Sequence, residues 1–193
     1  MSVTATIMPN PKAAVVYYIR GLVFSRLGLW PNSSDDFAVA SRLDSSFRRG
    51  LADYSLGWAL MAQGHYSDAI VSFTKAIARS PLPAPSYFQR SRAYEQLGDI
   101  DAAISDMNAV IRSIPKYPEA YHRRAHLFMR KRVHGVALND LTAAVTNDPD
   151  DRFAGEDSVY LCGSRVSDQQ CRLRLDPTIP PAADHPRHFE FAH

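Results

Sequence analysis

The chain has 193 residues, of which 46% are hydrophobic and 22% are charged, and its formal net charge is +2. This length suits one domain or a short repeat array, and the composition is too apolar for a wholly disordered protein. A net charge near zero excludes a general electrostatic attraction to nucleic acid or membranes. The two cysteines, Cys162 and Cys171, are too few for a disulfide scaffold and indicate free thiols in a reducing compartment.

The most apolar stretch, residues 13–30, contains Arg20 and Arg26. A membrane-spanning helix needs about 20 residues with few or no charges, so we expect no membrane insertion. Arg20 also interrupts the apolar run that a signal peptide would need. We therefore expect a cytoplasmic protein, in which the glycosylation sequon at Asn32 has no role.

The chain contains an internal repeat with a period of 34 residues. Several sets of equivalent residues keep this step: Pro81, Pro115 and Pro149; Ala69, Ala103 and Ala137; Leu60, Tyr94 and Phe128; Phe73, Met107 and Leu141; Ala76, Val110 and Ala144. A period of this length is typical of stacked helical repeats. It divides the centre of the chain into unit B (residues 50–83), unit C (residues 84–117) and unit D (residues 118–151).

A fourth, degenerate unit, called unit A, is predicted over residues 12–49, after a flexible N-terminus over residues 1–11. Its first helix repeats the beginning of unit C. The residues that match are Tyr17, Arg20, Gly21, Phe24 and Gly28 in unit A, and Tyr87, Arg90, Ser91, Tyr94 and Gly98 in unit C.

The second half of unit A is less regular, because the alanine that marks the other units is missing. Residues 31–35, Pro-Asn-Ser-Ser-Asp, predict an enlarged turn, since these residue types favour turns. Ser34 or Asp35 would then cap a helix that runs from Asp36 to about Arg49.

Units B to D are each predicted to fold as two helices. In unit B the first helix carries Leu56, Gly57 and Leu60 at helical spacing, and Gly64 ends it. The second helix carries a similar stripe: Ala69, Phe73, Ala76 and Ile77. One equivalent position holds only small residues, which allow two helix axes to approach within about 8 to 10 Å. These residues are Gly57, Ser91 and Ala125.

Unit B resembles the tetratricopeptide repeat (TPR), through the pattern Leu56-Gly57-x2-Leu60-x3-Gly64-x-Tyr66-x2-Ala69-x3-Phe73-x2-Ala76-x4-Pro81. Units C and D match it through Tyr87, Ser91, Tyr94, Gly98, Ala103 and Pro115, and through Tyr121, Ala125, Phe128, Ala137, Ala144 and Pro149. Two residues depart from the family pattern: Asp53 stands where an aromatic residue is expected, and Arg132 where the turn glycine is expected. The resemblance implies an all-α fold, a right-handed α-solenoid of helix-turn-helix repeats.

The resemblance also implies a concave surface lined by the first helix of every unit. The second, fifth, ninth and twelfth positions of units B, C and D hold Leu51, Tyr54, Trp58 and Met61; Pro85, Phe88, Arg92 and Glu95; and Glu119, His122, His126 and Met129. We expect partner binding by eight residues on or beside this surface: Tyr54, Trp58, Met61, Phe88, Arg92, His122, His126 and Arg130. Aromatic and arginine side chains supply most of the energy of peptide binding, so we expect a non-catalytic adaptor that binds an extended peptide or helix of a protein partner. Alternatively, the aromatic residues pack beneath neighbouring loops or the tail.

Co-chaperone members of the family bind a C-terminal carboxylate through lysine, asparagine and arginine side chains at the fifth and ninth positions of successive first helices, as the resemblance implies. In this chain those positions include Tyr54, Trp58, Arg92, His122 and His126. The carboxylate clamp is therefore absent, and we do not expect a receptor for chaperone tails.

No motif predicts catalysis or a cofactor: the sequence has neither a glycine-rich phosphate loop nor a nucleophile elbow. His122 and His126 have a spacing that suits zinc, but no third ligand accompanies them, so we expect no metal. A cluster of basic residues comprises Lys116, Arg123, Arg124, Arg130, Lys131 and Arg132. It lacks a repeated set of base-reading side chains, so we expect no nucleic-acid partner. The cluster would attract an acidic partner segment or form a solvated surface.

After unit D the repeat pattern ends, and residues 152–193 predict an irregular, disordered tail with at most a short strand at residues 159–162. No capping helix follows the last helix, about Val136 to Thr146, which would leave apolar surface uncovered. The tail would cover it through Phe153, Val159, Tyr160 and Leu161. If a second chain covers it instead, the alternative function is a structural subunit of a larger assembly or homo-oligomer, with self-association through the C-terminal end.

Two positions of the repeat vary together. The seventh and twenty-third positions hold Arg90 and Asp106 in unit C and Arg124 and Asp140 in unit D, whereas unit B has neither charge. Because the two charges appear and vanish together, we predict a half-buried ion pair inside each of these two helix pairs.

Overall fold

The computed structural model describes residues 11–44 and 49–147, which form eight α-helices joined by short connections. Their bounds are α1 Pro11–Arg26, α2 Trp30–Leu43, α3 Leu51–Ala62, α4 Tyr66–Arg79, α5 Ala84–Gln96, α6 Ile100–Ser113, α7 Pro118–Arg130 and α8 His134–Asn147. None of these helices is long and apolar enough to cross a membrane. The predicted tail, its strand and its apolar residues lie outside the described residues.

The helices are stacked as successive pairs, one pair for each unit. The two helices of a pair pack against each other, and the second helix of a pair packs against the first helix of the next one. In addition, α3 contacts α5, so first helices of neighbouring units approach each other. The predicted all-α solenoid is therefore confirmed for the described part of the chain.

The second helix of unit A differs from its prediction. It begins at Trp30 rather than Asp36 and ends at Leu43, so residues 31–35 form its first turns and not an enlarged turn. Proline is tolerated in a first helical turn, where its missing N–H would have no partner. The hydroxyl of Ser33, which we took for a turn signal, donates a hydrogen bond of 2.9 Å to the Gly21 carbonyl oxygen across the helix pair.

Small residues bring the two helices of a unit close together, as expected. A Cβ atom added to Gly57 on α3 would lie 2.6 Å from Cε1 of Phe73 on α4. At the equivalent position of unit C, the buried Ser91 hydroxyl donates a hydrogen bond of 3.0 Å to the Ala103 carbonyl oxygen. The phenylalanine ring therefore fills the space that a larger residue at Gly57 would need.

The predicted ion pairs are confirmed, and each guanidinium binds its carboxylate through two nitrogens. Arg90 donates from Nε and Nη2 to the two oxygens of Asp106 at 2.8 and 2.7 Å, and Arg124 donates in the same way to Asp140 at 2.8 and 2.6 Å. The Arg90 guanidinium also lies 5.4 Å from the centre of the Tyr87 ring. We call this two-nitrogen arginine–aspartate pair, which joins the helices of one unit, an arginine clip.

Unit A contains a third arginine clip that the sequence analysis missed. Arg20 on α1 donates from Nε and Nη2 to Asp36 on α2, both at 2.7 Å. The two residues are 16 apart, as in the other clips. We therefore number the positions of unit A so that Arg20 holds the seventh position. The residues by which unit A exceeds the 34-residue period then lie between α2 and α3.

In units C and D the clip also reaches the preceding unit. The remaining nitrogen of Arg90, Nη1, donates to the Thr74 hydroxyl on α4 at 2.8 Å. Nη1 of Arg124 donates to the Asn108 side-chain oxygen on α6 at 2.6 Å. Thr74 and Asn108 share the twenty-fifth position of their units, so each guanidinium connects three helices.

Unit B replaces the clip with a different network, which explains the departure at Asp53. Its carboxylate is buried and accepts a hydrogen bond of 2.7 Å from the Ser41 hydroxyl on α2. It also forms an ion pair with Arg79 on α4. Asp53 therefore fixes α3 to both neighbouring helices where the family pattern has an aromatic residue.

The turn inside unit D forms despite its missing glycine. Arg132 has a φ of 61° in the left-handed region, where Gly98 of unit C has a φ of 82°. The Val133 amide donates to the Phe128 carbonyl oxygen at 2.9 Å, and the Asp99 amide donates to Tyr94 in the same manner. A non-glycine residue in this region costs about 1 kcal/mol, and the turn keeps its geometry at that cost.

Candidate partner-binding groove

Two aromatic side chains and an arginine lie together on α3 and α5. The Trp58 side chain is 41% exposed, and its Nε1 donates a hydrogen bond of 3.3 Å to the Tyr54 hydroxyl. The Arg92 guanidinium lies 5.9 Å from the centre of the Trp58 ring, which is within the range of a cation–π contact. Gln89 holds Arg92 through a hydrogen bond of 3.2 Å. Three predicted residues from two units thus meet, and the indole remains partly open to solvent.

Tyr54 lines two cavities that also include other predicted residues. One of about 220 Å³ is bounded by units A and B, and its lining includes Leu22, Trp30, Phe37 and Trp58. The other, of about 500 Å³, is bounded mainly by unit C, and its lining includes Pro85, Phe88, Arg92, Tyr117 and Glu119. Together with the Trp58–Arg92 contact, the two cavities form a surface that extends from unit A to the start of unit D, which we call the groove.

Phe88 lies mostly inside the protein. It is only 8% exposed, and its ring centre is 5.9 Å from that of Tyr117, with which it packs in the core of unit C. The Arg123 guanidinium also lies over the Phe88 ring, 5.4 Å from its centre. Phe88 therefore forms a wall of the larger cavity and presents little surface to a partner.

A single carboxylate, that of Glu95 on α5, organises the unit D side of the groove. Its Oε2 accepts a hydrogen bond of 3.1 Å from Nη1 of Arg123. Its Oε1 lies 3.2 Å from Nη1 of Arg130 and 3.3 Å from Nδ1 of His126. Two of the predicted residues, His126 and Arg130, therefore lie beside Glu95, and their side chains remain about half exposed.

Two guanidinium groups, those of Arg92 and Arg123, lie near each other in the groove. Burial lowers the pKa of the Arg123 guanidinium, and the positive charge of nearby Arg92 lowers it further. Glu95 and Glu119 act in the opposite direction but do not restore the ordinary value. An additional negative charge near Arg92 and Arg123 would therefore be stabilised.

The other candidate residues contribute less to this surface. Met61 on α3 and His122 on α7 are half-buried. Within the basic cluster, Arg124 belongs to a clip, and Lys131 forms an ion pair with Asp101. Across residues 11–44 and 49–147, no three His, Cys, Asp or Glu side chains gather where they could hold a metal ion.

Sequence reasoning missed the link between Arg123 and Glu95 and the wall formed by Tyr117. Arg123 occupies the sixth position of unit D, next to the lining positions, and Glu95 occupies a lining position of unit C. The opposite charges of Arg123 and Glu95, at these positions of adjacent units, could have predicted their ion pair. Tyr117 ends unit C, a place that the repeat pattern assigns to a connection.

Comparison with known proteins agrees with the helix pairs seen here. A family model described as tetratricopeptide repeat matches residues 54–118. Over these residues the chain carries tetratricopeptide repeats. Repeats of this family generally serve as non-catalytic protein-interaction modules.

Several known proteins are similar to part of this chain. The tetratricopeptide repeat and J domain-containing co-chaperone DNJ1 of Cryptococcus neoformans is 30% identical over 91 residues, 47% of this chain and 17% of DNJ1. The crystal structure of YrrB, a TPR protein with an unusual peptide-binding site, has a TM-score of 0.68 and 24% identity and covers 76% of this chain and 75% of YrrB. The first TPR of Spaghetti (RPAP3), bound to the HSP90 peptide SRMEEVD, has a TM-score of 0.57 and 23% identity, covering 60% and 92% of the two chains. The chain spans less than a third of the length of the curated relatives it matches.

Proposed function

We propose that the chain is an adaptor whose groove binds an extended acidic segment of a partner protein. The observation that carries this proposal is the contact between Trp58 and Arg92 beside the larger cavity. It offers an apolar surface and a cation to the same ligand segment, and tryptophan and arginine are the residues most enriched at the energetic centres of interfaces.

Electrostatics favours an acidic ligand over a neutral or basic one. Arg92 and Arg123 lie near each other, and burial together with the positive charge of Arg92 lowers the pKa of Arg123, which supports an acidic ligand here. A carboxylate from the ligand would form a charge-assisted hydrogen bond with Arg92 without displacing the Glu95 network. Because the site is open to solvent, salt would weaken this attraction. A cytoplasmic location stays a prediction from the sequence.

The test is a peptide array with matched acidic, neutral and basic peptides that share their apolar residues, followed by affinity measurement on the best acidic peptide. Arg92→Glu should weaken binding at least about tenfold, since it removes a charge-assisted hydrogen bond and adds a like charge. Arg112→Glu makes the same charge change at an exposed residue of α6 that lines neither cavity, and it should leave the affinity nearly unchanged. Trp58→Ala should lower the affinity for acidic and neutral peptides alike.

The proposal is wrong if acidic peptides bind no more tightly than neutral ones. It is equally wrong if Arg112→Glu weakens binding as much as Arg92→Glu does, because general charge and not the groove would then explain the affinity. Circular dichroism of each variant separates lost binding from lost folding.

A further inference from the structure

The outer face of α1 is apolar and exposed where the equivalent face of every later unit is covered. Val16 and Val23, at the third and tenth positions of unit A, are 64% and 51% exposed. In the other units the second helix of the preceding unit packs against this side of the first helix. The residues at these two positions of units B, C and D are all buried: Ala52 and Ala59, Ser86 and Ala93, Ala120 and Leu127.

Arg20 on this face has the geometry of a clip but lacks one acceptor. Its Nε and Nη2 bind Asp36, whereas Nη1 has no hydrogen-bond acceptor among the residues that the structure describes. Its side chain is accordingly 55% exposed, against 16% for Arg90 and 19% for Arg124. The missing acceptor is the one that the twenty-fifth position of a preceding unit supplies to Arg90 and Arg124.

The opposite end of the stack presents that acceptor. Thr142 occupies the twenty-fifth position of unit D, as Thr74 does in unit B. Its hydroxyl donates to the Leu138 carbonyl oxygen at 2.8 Å, just as Thr74 donates to Ile70 at 2.7 Å, and this leaves the hydroxyl oxygen free to accept. Val145 lies beside it and is 39% exposed.

The two ends therefore complement each other. The α8 face carries Leu138, Thr142 and Val145, and the same positions of α4 carry Ile70, Thr74 and Ile77. Within the chain, α4 packs against α5, and Thr74 accepts a hydrogen bond from Arg90. A contact between α8 of one chain and α1 of another could have the same geometry.

We propose that α1 of a second copy of this chain docks on α8, with Arg20 of one copy donating to Thr142 of the other. This inference goes beyond the groove and does not depend on it. The contact joins two different surfaces, so each added copy again exposes one free end of each kind. Assembly therefore continues into a ring or a filament. Residues 1–10 precede α1 in the sequence and residues 148–193 follow α8, and cover of either face by one of these segments is the competing outcome.

Sedimentation velocity of the full chain at increasing concentration tests the proposal. The wild type should associate beyond a dimer, and Val16→Glu and Thr142→Arg should each remain monomeric. An equimolar mixture of these two variants should form a heterodimer and nothing larger, because one intact α1 face meets one intact α8 face. Thr142→Val, which only removes the acceptor, should weaken wild-type association about tenfold.

Val71→Glu on the exposed side of α4 is the matched control and should associate like the wild type. A wild type that stays monomeric at every concentration overturns the proposal and indicates that flanking segments cover the faces. A dimer that withstands Thr142→Arg, or a mixture that yields no heterodimer, also overturns it. Circular dichroism and thermal melting confirm that each variant remains folded.

Discussion

Replacing Asp106 with alanine removes the acceptor of one arginine clip and leaves its arginine in place. The carboxylate accepts two hydrogen bonds from Arg90, and the two side chains are only 5% and 16% exposed. Removing one partner of a buried ion pair costs roughly 3 to 5 kcal/mol, because the remaining charge is left without compensation. Arg90 keeps its hydrogen bond to Thr74 and its contact with the Tyr87 ring. We therefore expect Asp106→Ala to lower the free energy of unfolding by about 3 kcal/mol, at the lower end of this range.

Unit A provides the matched comparison, because its clip has the same geometry but a different exposure. Arg20 is 55% exposed, so water can solvate it after Asp36→Ala. The loss should then be limited to the hydrogen bonds themselves, about 1 to 2 kcal/mol. The difference between the two variants measures how much burial adds to the cost of an unpaired guanidinium.

Urea denaturation followed by circular dichroism gives the free energy of unfolding of each variant. Equal losses for Asp106→Ala and Asp36→Ala would refute the argument from burial. The double variant Arg90→Leu with Asp106→Ser copies Leu56 and Ser72 of unit B, and it should recover most of the loss because no charge is left unpaired. A double variant less stable than Asp106→Ala would show that the pair itself, and not the uncompensated charge, carries the energy.

Three further substitutions test local packing and backbone geometry through the same unfolding measurement. Gly57→Ala should destabilise the protein by about 1 to 3 kcal/mol, because the new Cβ would lie 2.6 Å from Phe73; a gain in stability would contradict the close packing of α3 and α4. Gly135→Ala, a helical site with no heavy atom within 4 Å of the added Cβ, should instead stabilise it by about 0.5 to 1 kcal/mol. Arg132→Gly should raise the free energy of unfolding by up to about 1 kcal/mol, because it relieves a left-handed φ of 61°; an unchanged midpoint would show that the turn carries no strain.

The repeat period predicted the helix pairs and two of the ion pairs, and the resemblance to the tetratricopeptide repeat implied the solenoid. Arg90 and Asp106 could be paired from sequence because both charges are absent together from unit B. The clip between Arg20 and Asp36 was missed because the second helix of unit A was placed too late in the chain. Local turn propensity at residues 31–35 suggested a loop, but packing against α1 and the hydrogen bond from Ser33 stabilise a helix there.

The groove was less accessible to sequence reasoning than the fold. The ninth positions of adjacent units correctly brought Trp58 near Arg92. The depth of Phe88 depends on how α5 sits against the start of α7, where Tyr117 packs on its ring. That arrangement depends on the packing of the whole core of unit C, so it cannot be predicted from the residue at any single repeat position. Whether these residues bind a partner stays a prediction that the peptide measurements address.

The clips make the stack directional. Arg90 and Arg124 each donate to an acceptor of the unit before them, whereas the carboxylates of Asp106 and Asp140 accept from the arginine of their own unit. Loss of unit D therefore leaves the clip of unit C complete, whereas loss of unit C deprives Arg124 of Asn108. We therefore expect the described stack to unfold from its α8 end one unit at a time, whereas unfolding of an inner unit should also destabilise the unit that follows it.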